Sequence, residues 1–377
     1  MTAVHPFHLD IPQAELDDLK HRLERTRLPE PATVDGWAQG VPIDRLRDLI
    51  AYWRDGYDWR RCEAVLNGLG QSRTEIDGLG IHFLHVRSKH EDALPLLLTH
   101  GWPGSVIEFL KVIGPLTDPQ AHGGSAGDAF HLVIPSLPGY GFSDKPREAG
   151  WGVARIAAAW GLLMERLGYT RYVAQGGDWG SSVTVEMGVQ RTAGLLGIHL
   201  NMLAVKPEKL DEKLDADERI ALEKLEIFTN LESAYARQQA TKPQTLGYAL
   251  ADSPAGQAAW IYEKFRTWSD CDGDPETVLG RDEILDDIML YWLTNSGASS
   301  GRLYYESMTS FRPKHVILPV GFSAFPKEII PTPRKWAEQV FPNIIHWNTL
   351  EKGGHFAAFE QPELFARELR ACFGKLR

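Results

Sequence analysis

The stretch that most constrains the fold of this chain runs from Tyr172 to Ser182 and has the sequence YVAQGGDWGSS. An apolar run typical of a β-strand enters a glycine-rich corner, and a helical pattern of apolar residues leaves it. This pattern predicts a nucleophile elbow, a strand-to-helix turn so tight that its neighbours must be glycine. Asp178 holds the position that serine usually occupies. A carboxylate at an elbow can attack carbon and form an ester, although aspartate is also a common helix cap.

Composition narrows the class of protein. The 377 residues are 43% hydrophobic and 24% charged, which is ordinary for a globular protein with a large core. A formal net charge of -10 argues against nucleic acid and membrane surfaces as partners. The three cysteines are far apart and form no Cys-x-x-Cys pair, so we expect neither a disulfide framework nor a metal site. Because no signal peptide and no apolar segment of about 20 residues is found, we expect a cytoplasmic protein.

The order of strand and helix patterns predicts a parallel sheet with helices on both faces. Residues 1–70 show helical repeats and are predicted to form a meander that packs on the core and the lid. In residues 71–205, short apolar strands alternate with helical segments. Strand patterns stop in residues 206–312, which are predicted to form a helical lid, and resume in residues 313–377. The sheet is therefore expected to be built from the second and fourth segments.

Polar residues beyond the carboxyl ends of the predicted strands are the candidates for chemistry. His355 follows the last strand in a glycine-rich loop, and the chain order nucleophile, acid, histidine makes it the candidate base. Of the 13 histidines, His346 lies within a predicted strand and His100 within a predicted turn. We therefore expect His355 to reach the elbow.

The acid that orients this histidine is harder to identify. Glu328 in the segment FPKE is the first acid after the preceding predicted strand, and it is our choice. A glutamate in the first turn of a helix would have the same local pattern. The alternative place, after the strand before the lid, offers Asn201 and no acid before Glu208.

Two backbone N–H groups are predicted to stabilise a developing oxyanion. Trp179 directly follows the candidate nucleophile, which is a usual position for such a donor. Trp102 lies in the loop HGWPG, whose glycines and proline allow a main-chain N–H to point inward. This loop could also be an ordinary strand-to-helix turn, but the three motifs together are more specific than any one of them.

These residues resemble the epoxide hydrolases of the α/β-hydrolase fold, in particular the microsomal-type branch with its N-terminal extension. The resemblance covers nearly the whole chain and includes HGWPG at 100–104, GDWG at 177–180, FPKE at 325–328, GHF at 354–356, YDWR at 57–60 and GLGIHFLH at 78–85. It implies an eight-stranded, mostly parallel sheet with helices on both faces, a helical lid and an N-terminal helical meander. The microsomal enzymes carry a membrane-anchoring helix before this region. Because no such helix is found in this sequence, the resemblance implies a soluble, bacterial-type member.

The resemblance also implies a mechanism without a metal or another cofactor, in which an epoxide and water are the small-molecule partners. Asp178 attacks an epoxide carbon and forms a hydroxyalkyl ester. Tyr235 and Tyr304 donate hydrogen bonds to the ring oxygen, a role that suits a phenol that stays protonated near neutrality. His355, oriented by Glu328, then activates water to hydrolyse the ester.

Two further expectations concern the lid. Tyr305 is adjacent to Tyr304, and because neighbouring helical residues do not share a face, only one can point into the site; we choose Tyr304. Six lid aromatics are expected to surround the substrate and to favour an apolar epoxide, such as an aryl or terpene-like one. They are Trp260, Tyr262, Phe265, Trp268, Tyr291 and Trp292.

Two alternative functions follow from the same scaffold. A haloalkane dehalogenase also uses an elbow aspartate followed by tryptophan, but commonly has an asparagine halide donor where this chain has Trp102. A non-catalytic binding protein is the other alternative, since a fold does not fix a function. The sequence does not distinguish detoxification from aromatic hydrocarbon or natural-product metabolism, and it leaves open whether the protein forms a homodimer.

Overall fold

The computed structural model describes residues 3–207, 209–310, 312 and 314–377. Glu208, the alternative acid named above, lies outside the described residues. So do the first two residues of the predicted N-terminal segment and residue 313, at which the last predicted segment begins. The predicted division of the chain at residues 70, 205 and 312 stays a prediction.

One mixed sheet of nine strands, in the order β1-β2-β3-β5-β4-β6-β7-β8-β9, forms the centre of the described chain. The pairs from β1 to β3 and the pair β3–β5 are antiparallel, and the other five pairs are parallel. The strands are β1 His5–Pro6, β2 Gln71–Ile76, β3 Leu79–Val86, β4 Leu94–Thr99, β5 Phe130–Pro135, β6 Tyr172–Gly176, β7 Leu195–Leu200, β8 Val320–Ala324 and β9 Ile344–Thr349.

Helices cover both faces of this sheet. Three precede β2, six lie between β7 and β8 where the lid is predicted, and the others alternate with strands or close the chain. They are α1 Gln13–Glu24, α2 Ile43–Asp55, α3 Trp59–Asn67, α4 Leu110–Thr117, α5 Val153–Arg166, α6 Asp178–Val189, α7 Ala216–Ile227, α8 Ala234–Thr241, α9 Pro243–Asp252, α10 Pro254–Trp268, α11 Arg281–Leu293, α12 Gly297–Ser307, α13 Arg334–Ala337, α14 Ala357–Glu360 and α15 Pro362–Phe373. Among the described residues, no helix has the length and apolar character needed to cross a bilayer.

The structure differs from the predicted elements in a few places. The predicted eight strands become nine, because β1 pairs with β2 in the segment that was expected to be helical throughout. A two-residue strand is too short to show any period. The sequence patterns set no bounds for helices α3 and α9, and the first strand of the last predicted segment begins only at Val320. Pro319 precedes it and has no N–H to donate to a ladder.

The centre of the sheet explains where the candidate site lies. Leu96, Leu97 and Leu98 in β4 are fully buried, as expected for a strand covered on both faces. β4 pairs with β6 in parallel, so both strands end at the same edge. The loops that carry the predicted motifs leave the sheet at this edge, where ligands of open α/β sheets bind.

Candidate active site

Asp178 lies at a strained corner between β6 and α6. Its φ angle is 49°, in the left-handed region that residues other than glycine rarely adopt. A Cβ atom at Gly176 would collide with the carbonyl group of Gly180, and a Cβ atom at Gly180 would collide with that of Thr99. The glycines are therefore required by close backbone contacts. Strain of this kind is typical of functional sites, and it supports the elbow interpretation over that of a simple helix cap.

The loop that follows β4 contacts the Asp178 carboxylate directly. The backbone N–H of Trp102 donates a hydrogen bond of 2.8 Å to Asp178 Oδ1. Gly101 allows this approach, because a Cβ atom there would collide with the same carboxylate. An N–H group in this place can stabilise negative charge on Oδ1. Trp179 begins the first turn of α6 directly after Asp178, and the role of its backbone N–H stays a prediction.

His355 lies between the two carboxylates that the sequence selects. Its Nδ1 is 2.8 Å from Glu328 Oε1, and its Nε2 is 3.5 Å from Asp178 Oδ2. Glu328 lies in an irregular segment after β8 rather than in the first turn of a helix. The side chains of His355 and Glu328 are each 3% exposed. The structure thus brings the predicted nucleophile, base and orienting acid together from three separate strand ends.

The charges around His355 oppose the effect of its burial. Burial lowers the pKa of His355, but the charge of Glu328 and hydrogen bonds with Asp178 and Glu328 raise it well above its ordinary value. The imidazole is therefore held as a cation between two carboxylates at neutral pH. It becomes a base only when one of those charges is removed.

The other two histidines considered above have structural partners. His100 accepts a hydrogen bond of 3.1 Å from the backbone N–H of Leu137, and its Nδ1 is 2.9 Å from the carbonyl oxygen of Gly101. Burial lowers the pKa of His100 to about 4. His346 Nε2 is 2.8 Å from Glu368 Oε2. Of these three histidines, His355 is thus the one whose second ring nitrogen faces the elbow.

Tyr235 of α8 and Tyr304 of α12 lie on the lid side of Asp178. Both are buried, with ring centres 5.9 Å apart, and both line one cavity with Asp178. Tyr305 is 61% exposed, so α12 turns Tyr304 rather than Tyr305 toward the site. The Trp102 ring stacks on the Tyr235 ring at 5.0 Å and 12°. Trp179 packs edge-on against Tyr304 at 4.8 Å.

Both tyrosine hydroxyls are protonated in this environment. Burial raises the pKa of Tyr235 well above its ordinary value, and the charge of Asp178 adds to this effect. Burial likewise raises the pKa of Tyr304, and the charge of Asp178 adds to this effect. Each phenol can therefore donate a hydrogen bond to an oxygen that approaches Asp178.

The cavity on the lid side is largely aliphatic. Its volume is about 330 Å³, and the six lid aromatics that were predicted to surround a substrate are absent from its lining. That prediction was wrong because most of these aromatics pack into the lid itself, as Phe265 and Trp268 do. Besides the three polar residues described above, the cavity is lined by Met202, Ala204, Val205, Lys206, Ala221, Leu225, Phe228, Ala236, Met308, Ile329, Ile330, Pro331 and Trp336.

A larger groove lies elsewhere on the molecule. Its volume is about 1040 Å³, and it is lined by charged residues that include Lys145, Arg147 and Arg302. It contains none of the predicted catalytic residues, so the smaller apolar cavity is the candidate substrate site.

Comparison with known proteins agrees with this geometry. Residues 4–109 match the family model described as epoxide hydrolase N terminus, and residues 95–202 match that of the alpha/beta hydrolase fold. The chain is 38% identical to Epoxide hydrolase 1 of Sus scrofa, over 99% of this chain and 89% of that protein. It is 59% identical, over 99% of this chain and 86% of the relative, to a protein of Stigmatella aurantiaca with a provisional epoxide hydrolase name.

Solved structures give the same result. The epoxide hydrolase of Aspergillus niger superimposes with a TM-score of 0.89 and 35% identity, covering 100% of this chain and 97% of that one. The juvenile hormone epoxide hydrolase of the silkworm Bombyx mori superimposes with a TM-score of 0.91 and 32% identity, covering 100% and 95%.

Fold and site together define an α/β-hydrolase with an aspartate at the nucleophile elbow. Within that class, the chain belongs to the epoxide hydrolases, in the branch with the N-terminal epoxide hydrolase region. The predicted family and fold class are confirmed. This membership also decides against the haloalkane dehalogenase and the non-catalytic binding protein.

Proposed function

We propose that the protein opens an apolar epoxide to a vicinal diol through a covalent ester on Asp178. The observation that carries the proposal is the arrangement around one carboxylate. Oδ1 of Asp178 accepts the Trp102 N–H, Oδ2 faces His355, and two protonated tyrosines lie in the same cavity. A nucleophile, a donor pair for the leaving oxygen and a base are all needed for ring opening and ester hydrolysis.

In the first step, Oδ2 of Asp178 attacks an epoxide carbon from the side opposite the ring oxygen. A new C–O bond forms while the ring C–O bond breaks. Tyr235 and Tyr304 hold the ring oxygen and supply its proton as it becomes an alcohol. Their raised pKa values keep both protons available up to high pH. Hydrogen-bond donors aimed at developing charge are typically a large contribution to catalysis.

In the second step, His355 removes a proton from water, which attacks Cγ of the ester. Ester formation has removed the charge of Asp178, which is one of the causes that raise the pKa of His355. The pKa of His355 therefore falls, and its proton passes, directly or through solvent, to the tyrosinate left by the first step. A neutral imidazole is then available as the base. The Trp102 N–H stabilises the oxyanion on Oδ1, with the Trp179 N–H as a proposed second donor. Collapse releases the diol and restores the carboxylate.

The shape of the cavity supports an aliphatic or mixed substrate rather than a flat aryl epoxide. Its lining is dominated by Met, Ala, Val, Leu and Ile side chains. A volume of about 330 Å³ is at the lower end of the range that is common for small-molecule sites. Long-chain and branched aliphatic epoxides are therefore the first substrates to test, with styrene oxide as the aryl comparison.

The covalent intermediate gives the decisive test. Asp178→Asn should lower turnover on the order of 10³-fold or more, whereas His355→Gln should accumulate an alkyl-enzyme of the added substrate mass. In a single turnover of the wild type in ¹⁸O-water, the label should enter the Asp178 peptide and not the diol. Label found in the diol would show direct attack of water on the epoxide and overturn the mechanism.

We also propose a cytoplasmic enzyme that needs neither a metal nor another cofactor. The three cysteines are free and buried, which fits a reducing compartment. Light scattering during gel filtration measures whether the protein forms a homodimer. A detoxifying or metabolic role follows from which epoxides it turns over fastest.

A further inference from the structure

A second cavity lies beside Asp178, and more of its lining residues are polar than in the apolar cavity. It is lined by Thr99, Glu108, Gln175, Asp178 and His355, among others, and the space open to the centres of water molecules is about 20 Å³. One buried water needs roughly 10–15 Å³ by this measure. Asp178 lines both cavities, but His355 lines only the second one.

Two polar atoms of residues that line this second cavity lack protein partners. Within the part of the chain that the structure describes, the buried Thr99 Oγ1 and Gln175 Oε1 make no hydrogen bond. The two residues are 0% and 1% exposed. The amide nitrogen of Gln175 donates to Asn201 Oδ1 at 2.7 Å, which fixes the direction of the free oxygen. Buried polar atoms without partners are rare, and a bound water is the common reason for them.

Glu108 contributes a carboxyl group to the same cavity. Its side chain lies against Gly104, where a Cβ atom would collide with Glu108 Oε1. No hydrogen bond or ion pair joins the Glu108 carboxyl group to another described residue, although it interacts electrostatically with Asp287, His355 and Asp178. Burial, reinforced by the charge of Asp287, raises the pKa of Glu108 well above its ordinary value. A protonated carboxyl can both donate and accept a hydrogen bond.

We propose that the second cavity holds the water that hydrolyses the Asp178 ester, and that Glu108 is the positioning residue for this water. The inference rests on the proposed covalent mechanism. The water gives one proton to His355 Nε2, and its oxygen forms a bond to Cγ of Asp178. The bond between Cγ and the ester oxygen Oδ2 then breaks, and the alkoxide that leaves with this oxygen takes up a proton to complete the diol. The remaining hydrogen of the water is held by Glu108, Thr99 or Gln175.

The two-cavity arrangement has a chemical reason. The alkyl group of the ester occupies the apolar cavity and would exclude water from that side. A separate polar cavity that reaches both Cγ and His355 keeps the water in place while the substrate fills its own site. Correct placement of a reacting water avoids an entropic cost during the reaction.

The experiment separates ester formation from ester hydrolysis. In Glu108→Ala, hydrolysis of the alkyl-enzyme should slow by about 10- to 100-fold, while ester formation stays within about twofold. Rapid quench followed by mass spectrometry of the intact protein measures both rates. The alkyl-enzyme should accumulate, so that kcat and KM fall together. Glu108→Gln, which keeps a hydrogen-bonding group of the same shape, should restore part of the hydrolysis rate.

A second pair of variants, at Thr99, tests the inference independently in case the Glu108 variants do not fold. Thr99→Val removes the hydroxyl and Thr99→Ser keeps it, so only the valine variant should slow hydrolysis selectively. Glu165→Gln, on the exposed side of α5, is the control and should match the wild type. Hydrolysis at the wild-type rate in Glu108→Ala and Thr99→Val, or an equal fall of both steps, would overturn the inference alone. A wild type that forms no ester would overturn the proposed mechanism as well.

Discussion

At the scale of single residues, the site depends on how one imidazole is charged. Glu328 and Asp178 both contact the His355 ring, and in the proposed mechanism they keep its proton in place until the ester forms. Burial opposes this charge, so the pKa of His355 depends strongly on each neighbour. The pH dependence of ester hydrolysis should therefore show how strongly His355 interacts with Glu328 and Asp178.

Removal of the Glu328 charge should shift the pH profile of ester hydrolysis. His355 is a base only when neutral, so hydrolysis rises with pH through its pKa in the ester form. Glu328 raises that pKa, and Glu328→Gln should therefore move the rising limb to lower pH while lowering the maximum rate by about 10²-fold or more. Single-turnover hydrolysis rates between pH 5 and 10 measure both effects. Glu338→Gln, an exposed surface variant, should leave the limb where it is; a limb that moves to higher pH in Glu328→Gln would contradict the assignment.

At the scale of elements, the orientation of α12 determines which of the two adjacent tyrosines lines the cavity. The helix buries Tyr304 against Trp179 and leaves Tyr305 in solvent. Helix α8 brings Tyr235 to the same cavity, and Trp102 stacks on its ring. Two lid helices and one loop of the core thus share a single aromatic cluster.

The adjacent tyrosines provide a matched pair of variants. Tyr304→Phe should slow ester formation by about 10- to 100-fold, because it removes one donor to the ring oxygen while Tyr235 remains. Tyr305→Phe makes the same chemical change one position away, on the exposed face, and should leave the rate within about twofold. Stopped-flow or quench measurement of ester formation tests the pair. Equal slowing in both variants would show that the hydroxyl at 304 has no special role.

At the scale of the whole molecule, an ion pair and hydrogen bonds join the N-terminal segment to helix α11 of the predicted lid. Arg61 of α3 binds Asp286 of α11 at 2.7 Å, and the Tyr57 hydroxyl donates to the same carboxylate. Trp53 of α2 donates to the sulfur of Met289 at 3.2 Å. The Asp286 side chain is only 5% exposed, so its charge depends on these partners. The N-terminal segment is thus part of the support of the lid.

Loss of this ion pair should destabilise the folded protein. Arg61→Met leaves the buried Asp286 with one partner fewer and should lower the free energy of unfolding by about 1–3 kcal/mol. Arg47→Met breaks a solvent-exposed pair with Asp44 and should change it by less than about 0.5 kcal/mol. Thermal and urea unfolding of the two variants gives the comparison. Equal stability of the two would show that the segment adds little to the lid.

Sequence patterns predicted the site better than its surroundings. The elbow and the HGWPG loop are local motifs, and the chain order of Asp178, Glu328 and His355 is characteristic of the fold class. All three can be read from the sequence without knowledge of the tertiary structure. The substrate cavity has no such motif, since its lining comes from α7, the segment after β7 and residues 329–331. The lid aromatics were assigned to it wrongly, because apolar character alone does not tell a core position from a cavity wall. The sequence analysis did not identify Glu108 as a site residue, because no local motif marks it. Its carboxyl group can lie where it does only because Gly104 has no side chain.

The way the catalytic carboxylate is held also bears on how the protein acquires activity. Its first hydrogen-bond partner, Trp102, is 76 positions away in the chain, and its histidine comes from the last loop before the closing helices. Contacts of such long sequence separation form late, after local helices and hairpins. A nascent chain that lacks β8 and β9 therefore has neither Glu328 nor His355 in place, and we expect it to gain activity only when these strands have joined the sheet.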